Sequence, residues 1–94
     1  MAKQIVWTKK ADTKFDRILK QLYDTWGPKV SAAFIERVYS ILDLLKQFPE
    51  LGPLQNEKKN IRGFILTKQV TLFYRIDEGE IILLNFFDNR QRRD

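Results

Sequence analysis

Hydrophobic residues in the first half of the chain recur at a helical period. The first apolar stripe comprises Phe15, Ile18, Leu19, Leu22, Tyr23 and Trp26. The second comprises Val30, Ala33, Phe34, Val38, Ile41, Leu42, Leu45 and Phe48. Asp12 or Thr13 is expected to cap the first helix. Gly27 is suited to end this helix, and Pro28 is suited to the first turn of a second helix that extends to about Phe48. So short a connection predicts an antiparallel helical hairpin.

Four shorter segments are rich in β-branched and aromatic residues and predict strands. These segments are residues 4–8, 61–66, 70–77 and 80–87. The short breaks between the later strands permit only antiparallel hairpins, and the loop Glu78-Gly79 is typical of a primed turn. The order β-α-α-β-β-β predicts one α+β domain, residues 1–94, with an antiparallel sheet covered on one face by the two-helix hairpin. The place of the first strand in the sheet is left open.

The two-residue loop also predicts the register of the last hairpin, with Arg75 opposite Ile82 and Tyr74 opposite Leu83. Continued alternation gives one face that carries Thr71, Phe73, Arg75, Ile82, Leu84 and Phe86. The other face carries Val70, Leu72, Tyr74, Ile76, Ile81, Leu83, Asn85 and Phe87. Both faces are largely apolar, and only one can lie beneath the helices. The other is expected to be covered in part by the C-terminal tail or to bind a protein partner.

The composition fits one small globule and excludes several classes of protein. The 94 residues are 44% hydrophobic, which is enough for a modest core. The chain has no cysteine and no histidine, so disulfides, thiolate metal sites and histidine bases are excluded, and no metal or cofactor is expected. No apolar run is long enough to cross a bilayer, and the N-terminus lacks the pattern of a secretory signal. We expect a soluble, cytoplasmic protein that binds no membrane.

Charge points to acidic partners more clearly than any motif points to catalysis. Seventeen basic and twelve acidic side chains give a net charge of +5, which favours nucleic acid or an acidic protein. No phosphate-binding glycine loop, nucleophile elbow, zinc motif or calcium loop is present. Glu50 and Glu57 are possible bases, but the simpler interpretation of each is a solvent-exposed charge in a loop. Any catalysis would depend on arginine, lysine, glutamate and electrostatics.

Several segments taken together resemble the RelE/ParE superfamily of toxins from bacterial type II toxin–antitoxin modules. The resemblance covers nearly the whole chain and rests on Trp7, Ala11, the turn Pro49-Glu50-Leu51-Gly52, Arg62, the segment Phe73-Tyr74-Arg75-Ile76 and the segment Phe87-Asp88-Asn89-Arg90. It implies a toxin that inhibits growth, stabilises plasmids in some settings and is neutralised by a cognate antitoxin. The toxin's target would be mRNA on the ribosome or DNA gyrase.

The resemblance also implies roles for particular cations. Arg62, Arg75 and Arg90 match positions at which relatives that cleave mRNA bind RNA, and a guanidinium group holds phosphate in a bidentate manner. Lys58 and Lys59 are further candidates for contact with the target. We expect the three arginines to gather on one open surface.

Enzymatic activity is left open because the acid–base residues of the cleaving relatives are missing. This chain has Asp88 where those relatives have a histidine, and it has no tyrosine after Tyr74. The gyrase-directed branch also lacks the cleavage residues. Two alternatives stand beside the toxin: a non-catalytic module that only binds an antitoxin, and a small protein that binds nucleic acid through Lys58, Lys59 and residues 90–93.

Overall fold

Eight elements make up residues 3–89, the part of the chain that the computed structural model describes. They are β1 Gln4–Trp7, α1 Lys9–Trp26, α2 Pro28–Gln47, a 3₁₀ turn Pro49–Leu51, β2 Leu54–Asn56, β3 Ile61–Thr67, β4 Val70–Asp77 and β5 Glu80–Asp88. The five strands form one sheet in the order β1-β5-β4-β3-β2. The predicted α+β fold with a helical hairpin against a sheet is confirmed.

Two features of the sheet differ from the sequence-based prediction. β1 pairs with β5 in parallel, with Ile5 opposite Ile81, so the sheet is mixed and not wholly antiparallel. The polar stretch after the helices contains a strand, β2, which pairs with β3 at the far edge. All three residues of β2 are exposed, so they carry no apolar alternation that a sequence pattern would reveal.

The cap of the first helix lies four or five residues before the two predicted positions. Thr8, and not Asp12 or Thr13, is the N-cap, and its Oγ1 accepts a hydrogen bond from Ala11 N at 3.1 Å. The same hydroxyl donates to the carbonyl of Leu83 on β5 at 2.7 Å. A cap that is shared with a neighbouring strand depends on long-range pairing, which explains why local pattern favoured the wrong residue.

The connection between the helices follows the prediction. Gly27 has φ 92° and its N–H donates to Tyr23 O at 2.9 Å, so it ends α1 in a conformation that favours glycine. Pro28 occupies the first turn of α2. The second helix ends at Gln47, with Phe48 as its C-cap, close to the expected boundary.

A β-bulge in β5 changes which residues face the core. The predicted pairs of Tyr74 with Leu83 and of Arg75 with Ile82 are confirmed, but the next pair joins Phe73 to Asn85 and leaves Leu84 as an extra residue. The extra residue reverses the alternation beyond it. The predicted faces of Asn85, Phe86 and Phe87 are therefore wrong. Phe86 is fully buried on the helix-covered face, and Phe87 is half-buried on the other.

The core lies between the helical hairpin and this covered face. Its largest fully buried side chains are Tyr74, Phe86, Leu45, Leu66, Leu72, Ile81, Leu83 and Val38. The rings of Trp7, Phe15 and Phe86 contact one another with centroid separations of 5.2 to 5.6 Å, which joins β1, α1 and β5. Neither described helix has the length and apolar character needed to cross a membrane.

Candidate functional surfaces

The structure does not bring Arg62 and Arg75 to a common surface. Arg62 on β3 lies directly opposite Tyr74 on β4, so both side chains project to the helix-covered face. Arg75 follows Tyr74 in the same strand and therefore projects to the opposite, open face. The expectation of one shared arginine surface is wrong for this pair, because consecutive strand positions alternate between faces.

Arg62 instead helps to hold the turn that follows α2. Its Nη1 donates to Gly52 O at 2.8 Å and to Glu50 O at 3.3 Å. The hydroxyl of its cross-strand neighbour Tyr74 donates to Pro49 O at 2.7 Å and accepts from Gly52 N at 2.9 Å. Two neighbouring side chains thus satisfy four backbone groups of residues 49–52, and we refer to this arrangement as the turn clamp.

Tyr74 has a perturbed ionisation because its side chain is buried. Burial raises the pKa of the Tyr74 hydroxyl, while the Gly52 N–H and the Arg62 charge oppose that rise without cancelling it. Because the folded-state pKa is higher than the unfolded one, the neutral phenol stabilises the fold at every pH below its ordinary value near 10. That contribution is lost as pH rises through the folded-state pKa.

We therefore expect a Tyr74→Phe variant to lose part of the alkaline sensitivity of the native chain. The free energy of unfolding, measured by urea titration from about pH 8 to 11, should fall more steeply above pH 10 in the native chain than in Tyr74→Phe. Tyr23→Phe removes an exposed hydroxyl and is the matched control, which should keep the native profile. Identical slopes for the native chain and Tyr74→Phe would contradict the assignment.

Lys58 and Lys59 lie in an exposed turn between β2 and β3. Lys59 N donates to Asn56 Oδ1 at 3.0 Å, and Asn60 Nδ2 donates to Ile76 O at 2.9 Å, which fastens the turn to the end of β4. Ile61, which follows the turn, pairs with Arg75. The structure thus places Lys58, Lys59 and Arg75 at the same end of the sheet, where Asp77 and Glu80 also lie in the adjoining hairpin.

The described chain ends at the other end of the sheet, before the C-terminal candidates. Arg90 lies outside the described residues, as do residues 91–94. The described chain stops at Asn89, whose N–H donates to Gln69 O, beside the start of β4. Five strand residues, about 17 Å, separate Val70 at that end from Arg75. Asp88 is 5% exposed on the covered face, so this carboxylate is buried and is not presented to a large substrate.

The open face of the sheet is half-buried and mainly apolar, which agrees with the expectation that both faces of the sheet are largely apolar. The residues that β4 and β5 place on it by register include Thr71, Phe73, Arg75, Ile82, Asn85 and Phe87. The rings of Phe73 and Phe87 meet edge to face at 6.4 Å. Ile65 on β3 shares this face and is 67% exposed. Arg75 is the single cation among these residues.

A groove that the sequence did not predict lies between the closed end of the helical hairpin and the β3–β4 turn. Its volume is about 450 Å³, and its lining comprises Leu22, Trp26, Val30, Ala33, Phe34, Arg37, Thr67, Gln69 and Val70. Trp26 and Val30 are 63% and 41% exposed, although both belong to the predicted inner stripes. The sequence signal was present, because both stripes continue right up to the Gly27 turn.

Comparison with known proteins gives a consistent result. A family model described as ParE toxin of type II toxin–antitoxin system, parDE, matches residues 5–93. Toxin ParE3 of Caulobacter vibrioides is 25% identical over 88 residues, which cover 93% of this chain and 87% of that toxin.

Solved structures share the fold at low sequence identity. A chain of the chromosomal ParDE TA system from P. aeruginosa superposes with a TM-score of 0.76 and 19% identity, covering 93% of this chain and 96% of its own. A chain of the RelBE2 toxin–antitoxin complex from Mycobacterium tuberculosis superposes with a TM-score of 0.61 and 20% identity, covering 94% and 99%.

Proposed function

Because the chain belongs to the ParE toxin family of type II toxin–antitoxin systems, we propose that it arrests growth by inhibiting DNA gyrase and that a cognate antitoxin holds it inactive. In this proposal it acts in the cytoplasm, and a plasmid or chromosomal region that carries the pair is retained because loss of the antitoxin frees the toxin. The observation that supports this choice of target is the placement of Arg62 and Arg75 on opposite faces of the sheet.

Cleavage of mRNA needs cations around a phosphate and an acid or base beside them, and Arg62, Arg75 and Asp88 do not form such a group. Arg62 is committed to the turn clamp, Arg75 is on the opposite face, and the carboxylate of Asp88 is buried. Acid–base assistance contributes about 10²- to 10⁴-fold to such reactions. Since the chain has no histidine, this contribution would need another source.

A protein target suits the open face better than an RNA target does. Half-exposed apolar side chains such as Phe73, Ile82 and Phe87 favour contact with another protein surface. A surface that binds RNA without sequence preference would carry several cations along the path of the phosphates, whereas β4 and β5 supply only Arg75. These features support a toxin that inhibits its target by binding it.

An acidic antitoxin segment suits the remaining exposed surface. The net charge of +5 favours an acidic partner, and the groove at the end of the helical hairpin offers apolar area for a segment that folds on binding. Occupation of the groove would cover the exposed side chains of Trp26 and Val30. The antitoxin would thereby remove exposed apolar side chains of the helices from solvent.

We expect expression of the chain alone to stop growth and co-expression of the adjacent small reading frame to restore it. The protein, separated from its antitoxin, should then inhibit supercoiling by purified gyrase and should leave ribosome-bound mRNA intact. Antitoxin added back to the gyrase reaction is the control and should restore supercoiling. Cleavage of mRNA on the ribosome would instead establish the translation target. Harmless expression together with antitoxin binding would support the non-catalytic binding module.

A further inference from the structure

Arg37 is the one charged residue in the lining of the groove, and its guanidinium group is held in place. Its Nε donates to the carbonyl of Leu66 on β3 at 2.9 Å. Leu66 lies where the pairing of β3 with β4 shifts register between Ile65 and Thr67, so this irregularity turns a backbone carbonyl toward the helix. The bond spans the two layers of the protein and fixes the guanidinium at the wall of the groove.

The rest of that guanidinium group is available for a ligand. A guanidinium has five N–H groups, and the bond to Leu66 uses the one on Nε. Within residues 3–89, the ion pairs join Lys20 to Asp24 and Lys46 to Asp43, and none involves Arg37. The two terminal nitrogens therefore present a planar fork of donors with no carboxylate partner from the described chain.

The surroundings of the fork define the ligand. Apolar side chains such as Trp26, Val30 and Phe34 line most of the groove and suit aliphatic or aromatic side chains. The charged residues that adjoin lining residues in sequence are Lys29 and Lys68, which are basic, and Glu36, which precedes Arg37. Together with Arg37, these residues give the surroundings of the groove a net positive charge. A single cation among apolar walls fits one carboxylate on an apolar segment and not a polyanionic nucleic acid.

We propose that Arg37 binds a carboxylate side chain on an amphipathic antitoxin segment whose apolar side chains occupy the groove against Trp26 and Val30. A carboxylate would accept two parallel N–H bonds from the terminal nitrogens, which sets the register of the segment as well as adding to its affinity. The inference rests on the proposed function only in taking the occupant to be the antitoxin. The target of the toxin plays no part in it.

The test compares Arg37→Gln with the native chain in titration calorimetry against the full-length cognate antitoxin. Charge-assisted hydrogen bonds at a partly desolvated site predict that the dissociation constant rises about 10- to 100-fold. Arg37→Lys keeps the charge without the planar fork and should recover only part of the affinity. Arg17→Gln removes an exposed guanidinium from α1 and is the matched control, which should bind within about twofold of the native chain.

A double-mutant cycle separates a contact with the ligand from a purely structural role of the Arg37–Leu66 bond. Each acidic residue of the antitoxin segment is changed to its amide and tested against the native chain and Arg37→Gln. One amide variant should weaken binding to the native chain and have almost no further effect on Arg37→Gln. Additive effects for every acidic residue, or unchanged binding by Arg37→Gln, would overturn the proposal.

A separate measurement distinguishes this inference from the proposed target. Arg37→Gln, freed of antitoxin, should inhibit gyrase as strongly as the native chain, because the groove and the open face are distinct surfaces. If the native chain fails to inhibit gyrase but the double-mutant cycle still couples Arg37 to an acidic residue of the antitoxin, only the proposed target is wrong. If the cognate antitoxin does not bind the native chain at all, the occupant is wrong and the inference falls with it.

Discussion

Replacing Phe86 with alanine is expected to lower the free energy of unfolding by about 3–5 kcal/mol, as large-to-small changes of buried aromatic residues do. Phe86 is fully buried, and its ring contacts those of Trp7 and Phe15, so the change removes contacts with both β1 and α1. The surrounding helices and sheet would close the cavity only in part. Urea titration of purified protein, followed by circular dichroism, measures the loss.

The adjacent residue supplies the matched control for Phe86→Ala. Phe87 is half-buried on the open face, so Phe87→Ala should cost only about 1–2 kcal/mol. Comparing the two losses of stability tests for the bulge at Leu84. Without the bulge, regular alternation from the hairpin turn would bury Phe87 with Tyr74 and expose Phe86. A larger loss for Phe87→Ala than for Phe86→Ala would show that the bulge is absent in solution.

Replacing Gly52 with alanine is expected to lower the free energy of unfolding by about 3 kcal/mol, which combines forced repacking with loss of buried hydrogen bonds. A Cβ at this position would lie 2.8 Å from the Gly63 carbonyl oxygen and 2.9 Å from the Tyr74 hydroxyl. Neither group can retreat easily, since one is backbone and the other is buried. Relief of the overlap would break the turn clamp. Thermal and urea unfolding measure the effect.

Gly63→Ala is the control for Gly52→Ala. Its Cβ would lie 3.1 Å from Gln55 Cγ and 3.2 Å from Phe73 Cε1, and both of these belong to side chains that can shift. We expect a loss of about 1 kcal/mol or less. The cost of Gly52→Ala should also shrink in a Tyr74→Phe background, because the hydroxyl is one of the three atoms closest to the added Cβ. A Gly52→Ala protein as stable as Gly63→Ala would refute the tight fit.

The turn clamp changes how arginine substitutions in this protein should be interpreted. Arg62 matches a position at which relatives bind RNA, yet here its Nη1 is bonded to the carbonyls of Glu50 and Gly52. Loss of toxicity in an Arg62 variant would therefore report a loosened turn as readily as a lost contact with the target. Arg75 is the more informative residue, since it lies on the open face and makes no bond to the turn.

Local sequence patterns determined much of the fold. The helical stripes, the Gly27-Pro28 connection and the Glu78-Gly79 turn act over a few residues, and the structure confirms the hairpins that they predict. The resemblance to the toxin superfamily rests on particular segments, among them the turn at residues 49–52 and the segment around Tyr74. Periodicity and turn chemistry are properties of neighbouring residues, so they can be read without the tertiary structure.

Only the tertiary structure decided how distant residues meet. The Thr8 cap needs the carbonyl of Leu83, the bulge at Leu84 exchanges the roles of Phe86 and Phe87, and the partners of Arg62 lie in a turn beyond its own strand. The groove around Arg37 joins two helices to a strand turn. Pairing energies between strands and helices set these contacts, and one inserted residue reverses every face that follows. The sequence therefore determined the elements and the family, while long-range packing decided which side chains face a partner.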